Sequence, residues 1–374
     1  MRKRAFERLD GYLVELSQGS DGQVVRCRFP ESIVGGPNRD RRDAAIAALR
    51  SGPGPYPGAL IDDGDDGSHE YCEALLHALG QGAALDVPRA LLRHLHDARV
   101  RPALVEALRT ACEGNIAQVV GIAGGPGALD ALREWRERIA DDECTFLGTA
   151  RSNDLGTILA TVCEAELRLN PDELPAADAL IRLFPHPAEL VRRCAVSAAA
   201  AVCEGHLRTA SIEQLRDRLE TLVSGDDDHL FLIALPGLRH APFELVVRRV
   251  EALALGTDAV LARWAISAIC SCPYLVGQRN RILSLALENG PTLDSGVYII
   301  SWLAGGDGLE KGTTLLRQAL AEASPSLRWQ AIECLDRLPQ PVAVELAKEA
   351  IADEPDSMLH DKLREIARAR TGRS

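Results

Sequence analysis

Read for its apolar positions, the chain repeats itself. In Leu327-Arg-Trp-Gln-Ala331-Ile332-Glu-Cys334-Leu335 the apolar residues fall at steps 0, 4, 5, 7 and 8. That is the stripe of a helix buried along one face. The same template runs from Leu155 (Leu159, Ala160, Val162, Cys163), Val191 (Ala195, Val196, Ala198, Ala199), Leu230 (Ala234, Leu235, Gly237, Leu238) and Leu261 (Ala265, Ile266, Ala268, Ile269). It recurs with a polar first position at Ser295 (Ile299, Ile300, Trp302, Leu303). At Leu359 (Leu363, Ile366, Ala367) Arg364 breaks one position. The starts 155, 191, 230, 261, 295, 327 and 359 are separated by 36, 39, 31, 34, 32 and 32 residues. A period of this length marks a repeat architecture.

A second set of helices is predicted between them, over 128–139, 174–184, 212–223, 243–255, 279–287, 310–323 and 342–351. The links carry Pro185 and Pro187, Gly225 with Asp226 to Asp228, Gly290-Pro291, Ser324-Pro325, Pro339, Pro341 and Pro355. Pro and Gly stop helices, and Ser or Asp caps the next one. The expectation is an all-α chain with about seven helix pairs over 128–374. Residues 1–127 are less regular and read as an irregular helical region or terminal cap, with degenerate repeats in it. There Tyr71, Leu75, Leu76, Ala78 and Leu79 fit the template, as do Val100, Leu104, Val105, Ala107 and Leu108. Residues 40–49 read as a helix, 51–68 as a loop, and Val24–Phe29 as a short strand or simply extended chain.

A unit of two helices with Pro near the start of the second, followed by Leu-Arg-x-x-Ala-Ile, resembles the HEAT repeat. Pro325-Ser-Leu327-Arg328-Trp-Gln-Ala331-Ile332 carries the resemblance most closely. Pro187 with Val191-Arg192-Arg-Cys-Ala195-Val196 carries it more loosely, and the units from Leu230 and Ser295 lack the arginine. The resemblance spans about residues 128–370. It implies a HEAT/armadillo-like right-handed α-solenoid of antiparallel helix pairs, with the second helices lining a concave face. The outward positions of those helices, at template steps 2, 6 and 9, include Arg193, Arg239, Arg263, Trp329, Asp336 and Arg368. Arg and Trp are enriched at interface hot spots; the plainer reading is a solvated helix face.

Composition narrows the functional classes. Hydrophobic residues make up 46% of the chain and aromatics only 4%, so the core is aliphatic. The net charge is −12, which opposes general nucleic-acid binding and favours, if anything, a basic partner. Of 42 basic residues, only Lys3, Lys311, Lys348 and Lys362 are lysine, a bias that fits GC-rich, bacterial coding. The ten cysteines include no CxxC and sit mostly in apolar runs, as in a reduced, cytoplasmic protein. The N-terminus lacks a signal-peptide core, and no run is long enough to span a membrane.

The candidate chemistry is thin. Asp62, Asp63, Asp65, Asp66, His69 and Glu70 form an acidic cluster, but Gly67 falls where an EF-hand needs a ligand, so it reads as a solvated, capping loop. Deoxyhypusine hydroxylases of HEAT-like build bind iron through several His-Glu pairs; this sequence has one, His69-Glu70, and the missing set argues against that enzyme. HEAT-like DNA glycosylases need a basic face, and no residue marks the bilin site of HEAT-like bilin lyases. Cys270-Ser-Cys272 reads as helix packing, and Gly121–Gly127 as an inter-repeat loop. No catalytic residue, metal ligand or cofactor is assigned. The expectation is a non-catalytic scaffold or adaptor that binds another protein along the groove. A specific form is an acidic inhibitor or immunity-like partner of a basic protein. The alternative is a HEAT-like enzyme or small-ligand binder using the same groove.

Overall fold

The computed structural model describes residues 5–9, 12–18, 24–30, 38–51, 61, 65, 67–82, 86–110, 113–145, 150–205, 207–288, 296–297, 299–300, 309–322, 324–335 and 338–369. They form two compact units, Met1–Leu215 and Arg216–Ser374.

The first unit opens with strands β1 (Ala5–Leu9), β2 (Tyr12–Gln18) and β3 (Val24–Pro30). They make an antiparallel meander in which Val14 lies between Glu7 and Arg28. Among the described residues the regular elements are all helical from Asn38 onward, as expected, while this opening segment is not. In β2 the polar Glu15 and Ser17 alternate with Val14 and Leu16, a period of two that favours strand over helix. The possible strand at Val24–Phe29 is β3.

Helices follow: α1 (Asn38–Arg50), α2 (His69–Gly80), α3 (Asp86–Ala90), α4 (Val100–Thr110), α5 (Gly114–Ala123), α6 (Ala128–Thr145), α7 (Ala150–Leu169), α8 (Leu174–Leu183), α9 (Glu189–Cys203) and α10 (Ala210–Glu220), the last ending in the second unit. Helix α7 packs against α5, α6, α8 and α9. Its template residues Leu159, Ala160, Val162 and Cys163 are buried, as are Val191, Ala195, Val196, Ala198 and Ala199 of α9. Burying aliphatic stripes on both sides of α7 supplies the main stabilisation of this stack.

Helix α5 corrects the reading of Gly121–Gly127 as a loop. Gly121 lies inside α5, where a Cβ would stand 2.7 Å from the Cα of Ala165 on α7. The glycine is there because the two backbones touch. The loop proper is shorter: Gly124, Gly125 and Gly127 take φ of 62°, 119° and 75°. Only glycine adopts these values readily.

The second unit contains α11 (Asp228–Ala234), α12 (Phe243–Ala254), α13 (Ala259–Ser271), α14 (Val276–Glu288), α15 (Leu309–Leu320), α16 (Pro325–Leu335), α17 (Gln340–Ile351) and α18 (Ser357–Ala369). Asp227, Asp258 and Asp356 cap α11, α13 and α18 by accepting main-chain N–H bonds at 2.9–3.2 Å. The template that starts at Leu230 does not stay α-helical. Pro236 has no N–H to give the Leu232 carbonyl, and the chain tightens into a 3-10 segment over Leu235–His240. Ser295 and Asp336 lie outside the described residues. Ile299 and Ile300, which the repeat beginning at Ser295 predicts as core, are buried.

Arginines tie the helices of each unit together. Arg101 donates to the carbonyls of Leu95 and Ala123, and Arg192 to those of His186 and Pro187. Arg249 reaches the carbonyls of Leu222 and Val223 and the carboxylate of Asp228, with its guanidinium 4.4 Å from the ring centre of Phe231. Arg328, on the closest HEAT-like motif, donates to both oxygens of Glu354 and to the Glu322 carbonyl. The guanidinium fork suits this use because it can hold a carboxylate and a carbonyl at once. Among the described residues, no single helix is long and apolar enough to cross a membrane; one pair, Ala259–Ser271 with Pro273–Glu288, reaches that apolarity only jointly and bends by 91° between its halves.

Candidate functional site

Helix α13 presents Arg263, Ser267 and Ser271 at four-residue steps, so they share one face. Trp264 stands beside them, while Ala265, Ile266 and Ile269 point into the core. Opposite lie Leu232 and Ile233 of α11, in the turn before the Pro236 break. Between the helices is an open concavity of about 310 Å³. Arg263 is the only charged residue among the described residues that line it. The Trp264 ring is set by His229, which meets it edge-on with ring centres 5.3 Å apart and planes at 88°. The Ser271 hydroxyl donates to the Ser267 carbonyl at 2.9 Å and can still accept.

A second, shallower concavity of about 490 Å³ lies on α18, lined by Asp361, Arg364, Glu365 and Arg368. Its charges balance. Arg193 on α9 is half-exposed and pairs with Glu189 one turn away, at 3.5 Å. Arg239 is exposed at the end of the 3-10 segment, displaced from the regular helical face by the Pro236 break. Trp329 is 36% exposed on α16. Asp336 falls outside the described residues. Arg263 and Arg368 of the predicted stripe thus each line a concavity of the second unit. Trp264, Ser267 and Ile233 were not singled out from sequence, although four-residue steps from Arg263 lead to Ser267 and Ser271.

Two buried polar clusters stand apart from these concavities. In the acidic loop, Asp65 turns inward: its side chain is 2% exposed and accepts from the fully buried His94 Nε2 at 3.0 Å and from the Gly67 N–H at 3.0 Å. Arg93 adds an ion pair to the other oxygen at 3.5 Å. Asp65 is thus a structural anchor of the loop. Arg136 and Arg133 of α6 meet Glu166 of α7 and Glu173, the residue that precedes α8. Burial pushes the Glu166 carboxyl up to about 7 against the pull of Arg136, while hydrogen bonding to Arg133 holds Glu173 below the usual carboxylate range.

The thiols are poor nucleophiles. Burial raises Cys72 to about 11, with the Asp97 carboxylate adding to it, and raises Cys270 to about 12. Cys272 packs with its sulfur 3.9 Å from the Leu235 carbonyl, so the Cys270–Cys272 pair is held by packing. The described cysteines form no disulfide. Among the described residues no group of three or more His, Cys, Asp or Glu side chains is arranged to hold a metal ion.

No family model matches the chain, and no curated protein sequence matches it. Solved structures that align with it include an engineered protein from the Northeast Structural Genomics Consortium, 17% identical over 90% of this chain and 96% of its own, with a TM-score of 0.33. Another is a computationally designed self-assembling cyclic homo-oligomer, 15% identical over 80% of this chain and 94% of its own, with a TM-score of 0.13. At those TM-scores the alignments bear on neither shape nor function.

Proposed function

We propose that this protein is a non-catalytic interaction module that binds another protein through the outward faces of its second-helix set. The finer architecture goes with it: HEAT-like antiparallel helix pairs, wound as a right-handed solenoid, each offering one face to a partner. A reducing, cytoplasmic setting suits the described thiols, which are unbridged and mostly buried.

The observation that carries the reading is the concavity between α11 and α13, where one positive charge stands among apolar, aromatic and hydroxyl groups. A half-buried aromatic beside an arginine is the make-up of an interface anchor. The net charge of −12 predicts a basic partner at long range. Within the stripe Arg193 is paired with Glu189 and Arg368 lies beside Asp361 and Glu365, so the long-range acidity of the chain is what favours a basic partner.

Affinity purification from a lysate of the source organism tests this. The native chain is compared with a variant carrying Glu at positions 193, 239, 263 and 368 whose circular dichroism is unchanged. A discrete protein retained by the native chain and lost from the variant is expected. Equal retention by both, or no retained protein at low salt, overturns the reading.

A further inference from the structure

We draw no further inference here: the strongest candidate, the open concavity between α11 and α13 lined by Arg263, Trp264 and Ser267, belongs to the interaction face already described, and nothing in the structure shows what covers it.

Discussion

Both oxygens of Glu166 accept from the same Nε–H of Arg136, at 3.0 and 3.1 Å, and the glutamate side chain is wholly buried. A single N–H shared by two oxygens compensates a buried carboxylate only partly, which is why burial outweighs the arginine and pushes the acid up to about 7 from 4.5. A carboxyl raised on folding binds its proton more tightly in the native state. The stability it contributes is complete below about pH 4.5 and is lost as the pH rises through about 7. Urea unfolding at pH 5 and pH 8 should show the native chain losing roughly 2–3 kcal/mol more than Glu166→Gln over that interval. Parallel pH profiles for the two proteins would exclude it.

Glu173, in the same cluster, has the opposite sign. Arg133 lowers it, so its contribution is present at neutral pH and is lost as the pH falls through its native value. Glu173→Gln is expected to flatten the acid limb of the stability profile and leave the limb near pH 7 in place. A variant that changes the limb near pH 7 instead would reverse the assignment.

Gly121 and Gly277 predict opposite outcomes for one chemical change. A methyl at Gly121 meets the Ala165 backbone at 2.7 Å, and neither helix can yield without parting from the other. Gly121→Ala should cost about 1–3 kcal/mol despite its better helix propensity. At Gly277, on α14, the added Cβ meets nothing within 4 Å. Gly277→Ala should be neutral or gain up to about 1 kcal/mol. Thermal unfolding of the two variants decides it, and the same sign for both would contradict the packing described.

Much of the helical layout is legible in the order of apolar residues. The template positions of α7, α9, α13, α16 and α18 name their buried faces, because a helix packed on two neighbours must repeat its aliphatic stripe. Three features escape that logic. The β1–β3 meander breaks the helical period, although the alternation in Tyr12–Gln18 carries its signal. Gly121 reads as a loop residue, since glycine at a turn and glycine at a helix crossing look alike in one sequence. The groove is a product of packing: Arg263 is visible as an outward residue, but the facing Leu232 and Ile233 are brought to it by tertiary contact, and the bend at Pro236 shapes the helix that carries them. Asp65 is a similar case, one carboxylate of an acidic run that His94 selects and buries.

Arg249 joins two main-chain carbonyls, the Asp228 carboxylate and the face of Phe231. Lysine keeps the charge and loses the fork. Arg249→Lys should lower stability by about 1–3 kcal/mol, while Arg239→Lys, at an exposed position, should change it by less than about 0.5 kcal/mol. Chemical denaturation of both variants measures this; equal effects would show that the fork at Arg249 contributes nothing.

The central claim is that a partner protein sits on the α13 face. Photo-crosslinking in cells tests it most directly, with a photoreactive phenylalanine analogue placed at Ser267 in the groove or at Leu245, an exposed residue of α12. A discrete crosslinked protein from position 267 and none from position 245 is the predicted result. A crosslink from position 245 alone, or the same products from both positions, would contradict it.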